Sequence, residues 1–418
     1  MRLSAARVRF AIVALFCAAV PAPPAVALDH VFENLVYGGG GDEPQLRVPR
    51  LEIRDTDLSL DEARRMLDAQ TPAEEAVAIA ARLRAGRIAL PEARIVFGEG
   101  MGELVLRQGV IETLAGARFA KLSFAGAQGR IDGKAAGEGE IVSGPMILTD
   151  GDFSKLIEAA RKGDVVDGVA RLGGFSWTGL RVAAPDKDVS RAAAGGNLWR
   201  LELASLTGAT TYAGDIPTRM VGKMEGLVVV APPASEAGRE LAGFGLEKVD
   251  LGFAFDGQYD PASKVFALND YSMTGAGAGA LRASGSFGGV EPAFFTGDQA
   301  TRLAAALTGD VRALNLTYVD NGLFQKSVAF YAAGVGKTPA ALRSEWAMMA
   351  GGLLPLLTGG DPAGFRIAEA VSAFIREPRS FSVSMKGKAG PLRFMDFAAM
   401  SDPATFFSKV DLTVVANK

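Results

Sequence analysis

The chain has almost nothing with which to do covalent or metal chemistry. Of its 418 residues one is a cysteine, Cys17, and one a histidine, His30. An internal disulfide is therefore excluded, and so are zinc sites built on Cys or His and nucleophilic triads that need a histidine base. His30 stands three residues from the expected mature start, on an end that would hold a general base poorly, so it reads as a surface residue. No Ser-x-x-Lys occurs, which removes the commonest serine–lysine arrangement. Long apolar runs are also missing. The longest beyond the leader, Trp346 to Leu357, is broken by Gly351-Gly352 and Pro355. As a helix it would rise about 18 Å against a hydrocarbon core of ~30 Å, so no transmembrane span is expected in the mature chain. Nor is there an excess of positive charge. With 44 basic and 47 acidic side chains the net charge is −3, which argues against nucleic acid and against a polybasic membrane patch.

What is present begins with a leader. Arg2, Arg7 and Arg9 stand at the head of an apolar run extending to Val20, and Ala25-Val26-Ala27 is the small-x-small pattern of a cleavage site. Residues 1–27 are read as a signal peptide, with the mature start near Leu28. Cys17 is removed with it, and Phe16 before it does not suit a lipoprotein site. Taking three arginines from 44 basic residues leaves 41 against 47 acidic, a mature net charge of −6. The arginine-, alanine- and glycine-rich composition resembles that of high-GC bacterial genomes, which makes the expected location periplasmic.

Alternation dominates the remainder. Val249, Leu251, Phe253 and Phe255 face one way while Asp250, Gly252, Ala254 and Asp256 face the other, the period of a half-buried strand. Phe266 and Leu268, then Tyr271 and Met273, make a second strand beyond the Gln258–Lys264 turn. Leu281, Ala283 and Phe287 make a third, and Leu314, Leu316 and Tyr318 a fourth, so the segment reads as an antiparallel meander with one apolar face. Between residues 87 and 143 the strands are short and broken by glycine, with Gln128–Glu140 as a hairpin tip. Helices are marked by caps: Ser59 to Glu62 is a capping box, Thr71-Pro72 opens a second helix, Asp152 a third running to Gly163, and Thr338-Pro339 and Asp361-Pro362 two more. Leu342, Trp346, Met349 and Leu353 form one apolar stripe. The expected fold class is α+β: antiparallel, strongly twisted sheets with amphipathic helices packed on one face, in two α+β halves. The N-terminal half covers 28–195 and the C-terminal half 196–418, with a helical cover over 323–377 and a boundary in the polar loop 185–196.

Motifs that suggest catalysis have simpler readings. Gly334-Val-Gly-Lys-Thr338 resembles the end of a phosphate-binding loop, but Tyr331 stands where that motif needs its first glycine, so the stretch reads as a helix end meeting the next cap. Gly275–Gly279 lacks the helix of a dinucleotide fingerprint and reads as a hairpin. Gly38–Gly41 lies beside Asp42 and Glu43 and reads as a loop. Carboxylate pairs, Asp150 with Asp152 or Asp256 with Asp260, keep a glycosidase-like hydrolase open as an alternative, although capping and turn roles account for them. No catalytic residue, cofactor or metal is assigned.

Val249-Asp-Leu251, Tyr259-Asp-Pro261, Leu268-x-Asp270, the glycine-rich hairpin and Leu314-x-Leu316-x-Tyr318 followed by helices resemble the strand-rich periplasmic AsmA-like and YdgA-like proteins of Gram-negative bacteria, over residues 248–418. That resemblance implies a cell-envelope protein that handles lipid or supports outer-membrane assembly. On the residues themselves two functions stay open. One is a non-enzymatic binder of a lipid or other apolar ligand in a sheet–helix groove lined by Phe253, Phe255, Phe266, Leu268, Phe287, Trp346 and Met349. The other is a structural protein of the envelope with protein partners, whose helices simply close the core.

Overall fold

The computed structural model describes residues 27–38, 44–97, 102–133, 137–155, 171–186, 198–401 and 403–418. The leader up to residue 26, most of the Gly38–Gly41 loop, the helix expected beyond Lys155, most of the polar loop 185–196 and the Asp402 cap lie outside the described residues. The chain divides into two compact units, Met1–Thr210 and Thr211–Lys418.

Unit 1 is built on strands β1 (Leu28–Gly38), β2 (Gln45–Thr56), β3 (Arg84–Val96) and β4 (Gly102–Ala115), paired antiparallel in that order. Beyond β4 the sheet forks. The second half of β4 pairs with β5 (Arg118–Phe124), which pairs with β8 (Met146–Asp152). The first half pairs with β6 (Gly126–Gly133), which pairs with β7 (Gly137–Ser143). Both branches rejoin on β9 (Gly174–Pro185), and β9 pairs with β10 (Leu198–Ala213). Helices α1 (Leu60–Leu67) and α2 (Ala73–Ala80) cover the apolar side of β1 to β4. Ala63, Met66, Leu67, Ile79 and Leu83 meet Leu51, Ile53, Ile88, Ile111 and Leu114 there, and Leu83, Ile53 and Ile88 are wholly buried.

The capping box forms as its spacing suggests. The Ser59 hydroxyl accepts from the Glu62 amide at 3.3 Å, and the Ser59 amide donates to the Glu62 carboxylate at 3.0 Å. Arg82, just past α2, donates to the same carboxylate and ties the two helices together. At α2 the phase is one residue later than the sequence suggests: Pro72 itself is the N-cap, and no side chain caps the helix. His30 is not on a loose end. It lies within β1, opposite Ile53, and its Nε2 is 2.8 Å from the Leu58 carbonyl oxygen, leaving the residue 8% exposed.

A line of left-handed residues crosses unit 1. Asp55, Thr113 and Asp150, in β2, β4 and β8, have φ of 53°, 52° and 49°. This conformation turns each side chain out of the pleat, and two of them lie against a neighbouring glycine. A Cβ on Gly86 would sit 2.7 Å from an Asp55 oxygen, and one on Gly173 would sit 2.6 Å from the Asp150 Cβ. Aspartate tolerates this backbone, whereas the β-branched Thr113 does so under strain.

Unit 2 is a meander: β11 (Ile216–Val230), β12 (Val249–Asp260), β13 (Val265–Gly275), β14 (Gly279–Gly288), β15 (Asp310–Asp320), β16 (Ser380–Gly387) and β18 (Val410–Ala416) pair antiparallel in that order, with the two-residue β17 (Leu392–Arg393) on β15. Helix α3 (Glu236–Gly243) joins β11 to β12, and α4 (Ala293–Thr296) and α5 (Gln299–Leu307) precede β15. Three helices, α6 (Leu323–Gly334), α7 (Pro339–Leu357) and α8 (Pro362–Arg376), separate β15 from β16. A 3-10 helix (Phe394–Ser401) and α9 (Pro403–Lys409) follow β17.

The expectation of two balanced α+β halves is corrected: strand makes up 53% of the structure and helix 27%, so antiparallel sheet dominates. The physical reason is glycine. Between Gly102 and Asp152 glycine lowers the strand signal in sequence, yet these segments pair in the ladder: Gly126, Gly129 and Gly139 lie close against backbone carbonyls, and Gly109 and Gly151 against rings. Phe119 lies over Gly151, directly opposite in the ladder, and Phe175 lies over Gly208 in the same way.

Two predictions follow from unit 1. Hydrogen bonds from Arg82 and then Ser59 hold the Glu62 carboxyl down to about 2. A depressed acid stabilises the fold above its unfolded value near 4.5 and loses that contribution as pH falls through 2. Glu62→Gln should therefore lower the melting temperature at pH 6 and have a much smaller effect at pH 2, as read by thermal unfolding across that range. Thr113→Asn, which relieves a β-branched residue at positive φ, should stabilise by about 0.5–1 kcal/mol in urea unfolding.

Candidate apolar site

Register decides what the apolar face of unit 2 looks like. Gly222, Phe255, Tyr271, Ala283, Leu316, Val383 and Val414 stand side by side across seven strands. The row on one side is Met224, Phe253, Met273, Leu281, Tyr318, Phe381 and Ala416, and the row on the other runs through Gly257, Leu268, Gly285, Leu314, Met385 and Leu412. Phe266 pairs with both Tyr259 and Phe287 one row further. The opposite face carries Asp256, Ser272, Arg282, Thr317 and Ser382. Three irregularities keep the phase: between Met224 and Leu227, at Asn269–Asp270, and beside Phe287. Without the second, Phe266 and Leu268 would point away from Tyr271 and Met273.

Both ends of this face are covered, each by a different cluster. At one end Val311, Met385, Leu392, Phe406 and Val410 form a buried core with Phe287, Leu314, Phe397 and Leu412 against it. Tyr259, 2% exposed, donates to the Val290 carbonyl at 2.6 Å, and its ring meets Phe295 of α4 at 4.7 Å. At the other end the Phe374 ring of α8 lies 5.5 Å from Phe381 and 6.1 Å from Tyr318. The Tyr318 hydroxyl donates to Asp320 at 2.8 Å, and the same carboxylate accepts the Gly322 and Phe324 amides that open α6. Burial first, then the Asp320 bond, pushes the Tyr318 phenol well above its usual range. In the middle row Phe255, Tyr271, Leu316, Val383 and Val414 are half-buried, as are Phe253, Leu281, Tyr318 and Phe381 beside them, and Met273 is 40% exposed.

The seven residues singled out in sequence separate into two groups. Phe253, Phe255, Phe266, Leu268 and Phe287 share the apolar face. Trp346 belongs instead to a small helical core with Val328, Ala332, Leu342 and Phe324. Its ring reaches the sheet only through Phe324 and Phe374, at 6.4 Å and then 5.3 Å between centroids. Met349 is 49% exposed. The stripe Leu342, Trp346, Met349, Leu353 is thus not one packed face. Sequence reasoning missed Leu316, Val383 and Val414 as lining residues, although their alternation was legible, because which strands adjoin is not.

A family model described only as "uncharacterized protein" matches residues 272–417. No curated protein matches the chain. The match covers β13 to β18 and the helices among them, and its description carries no activity.

The sites with catalytic overtones have structural partners. Asp256 accepts from Arg219 at 3.0 Å, and Asp260 is held below the usual carboxylate range by Ser263 and the Ala262 amide inside its turn. Burial pushes Asp152 up, but bonds from Ser154 and Arg118 outweigh it and bring the carboxyl down. Gly334–Thr338 joins α6 to α7, and the Thr338 hydroxyl caps α7 by accepting the Ala341 amide at 3.2 Å. Gly275–Gly279 is the β13–β14 turn, where Gly277 has φ of 64°. Among the described residues no three His, Cys, Asp or Glu side chains stand together in a way that could hold a metal ion. Among them too, no helix is long and apolar enough to cross a membrane.

Asp320 is the polar clamp between sheet and helices. Asp320→Ala should cost about 1–3 kcal/mol and raise amide hydrogen exchange at residues 322–326 selectively, since it removes one phenol acceptor and two amide acceptors at once.

Proposed function

We propose that unit 2 binds an acyl chain, or an apolar ligand of similar length, along the half-buried middle row of its sheet. The observation that supports the reading is a continuous apolar row across seven strands whose side chains, among the described residues, are only half-buried. Seven strands at ~4.8 Å spacing give a track of roughly 29 Å, longer than an extended fatty acyl chain. Within the row the small residues Gly222 and Ala283 lower the floor. Ordinary core would bury these side chains completely, and a chain this short of catalytic groups fits carriage better than turnover. The leader-like N-terminus supports an exported, envelope location for that task.

Mass spectrometry of organic extracts from the native protein should find copurifying lipid, and a fluorescent fatty acid should bind the purified chain. Leu316→Asn with Val383→Asn should weaken that binding by roughly ten-fold or more while leaving the melting temperature within a few degrees, because both positions are partly open to water. Absence of lipid in the extract together with no binding of the fatty acid would overturn the reading in favour of a purely structural sheet.

A further inference from the structure

A group of exposed apolar side chains lies on the α7–α8 hairpin. Met348, Met349, Leu353, Leu356, Leu357 and Phe365 are between 49% and 76% exposed. The cause is a difference in length. Helix α6 has 12 residues and α7 has 19, so α7, which folds back along α6, runs past it by about 10 Å. Over the first turns of α7, Leu342 and Trp346 pack on Val328 and Phe324; beyond them Met349, Leu353, Leu356 and Leu357 are exposed among the described residues.

The overhang is rigid. Ser372 of α8 donates to the Ala347 carbonyl at 2.9 Å, and a Cβ on Gly364 would collide with the Thr358 hydroxyl at 1.8 Å, so the two helices close tightly around the Thr358–Asp361 turn. Thr358 itself bonds the Pro355 carbonyl at 3.0 Å. The leucines are therefore held outward by a packed hairpin.

Charge distinguishes the occupant. From Trp346 to Gly360 the chain carries no charged side chain. The nearest acids are engaged, Glu345 with Lys337 and Asp361 with the Ala363 amide at 2.7 Å. The nearest exposed charge beyond the tip is the cation Arg366, adjacent to Phe365, and Glu369 follows one turn further from the tip. Six side chains at roughly 100 Å² each present about 600 Å², at the upper limit of what a monomer leaves bare and short of the ~800 Å² per partner of a stable protein interface. An apolar patch some 10 Å tall, uncharged from Trp346 to Gly360 and bordered by the Asp361 cap and by Arg366, matches the 5–10 Å apolar depth of a bilayer interface. We infer that the α7–α8 tip inserts into the surface of a lipid bilayer and docks the protein there without spanning it.

The test uses the chain from Leu28 onward, which has no cysteine and lacks the apolar run of residues 8–20, with an environment-sensitive dye on Leu357→Cys. With vesicles of phosphatidylethanolamine and phosphatidylglycerol the dye should shift to the blue and be quenched by lipids brominated near the head of the acyl chain, while the same dye on Lys388→Cys should not respond. In the chain without dye, Leu356→Asp with Leu357→Asp should reduce vesicle co-sedimentation at least ten-fold with an unchanged circular dichroism spectrum. The Leu316→Asn, Val383→Asn variant should sediment with vesicles as before, which separates this inference from the sheet reading. Aqueous emission from the dye at position 357, or undiminished sedimentation of the double aspartate variant, would overturn it. So would a lipid-free dimer that the aspartates convert to monomer, since the patch would then join two copies.

Discussion

The phase of the strands is the constraint on which everything else rests. An antiparallel ladder puts alternate side chains on opposite faces, so one extra residue anywhere sends all that follow to the wrong side. In unit 2 the chain makes such extra residues at Asn269–Asp270 and near Met224 and Phe287, and pairs them so that phenylalanine, leucine and tyrosine return to the same face. Tyr271 beside Phe255 and Leu268 beside Gly257 are both consequences of one irregularity.

This explains what could be seen in the sequence and what could not. Val249 to Phe255 and Leu281 to Phe287 were legible because their alternation is uninterrupted, and the Ser59–Glu62 cap because its two hydrogen bonds are local. Adjacency was not legible. Nothing in Leu316 or Val414 says that they flank Val383, since the first pairing is made across more than sixty residues and three helices, and the second across about thirty residues that include a short strand and two short helices. The stripe on α7 misled for a related reason: periodicity shows which side of a helix is apolar, but burial depends on how far the neighbouring helix extends. His30 was misjudged from its place near a chain end, although Val31, Phe32 and Leu35 around it continue a strand that β2 holds firmly.

The two units distribute their apolar surface differently. In unit 1 α1 and α2 lie flat on β1 to β4, and among the described residues nineteen side chains form one buried cluster. In unit 2 the buried clusters are smaller and sit at the ends of the sheet or among the helices. A half-open face forgoes part of the ~25 cal/mol per Å² that closure would contribute, so backbone pairing and the end clusters carry more of the stability there.

Glycine beneath a ring is the feature with the widest consequence. Phe119 over Gly151, Phe175 over Gly208, Phe124 over Gly109 and Phe266 over Gly257 each place ring carbons where a Cβ would be. Neither member of such a pair is independent: a methyl on the glycine displaces the ring, and removal of the ring leaves bare backbone open to water. The pair behaves as a single two-residue letter written across neighbouring strands, and a change in one half is tolerated only with a matching change in the other.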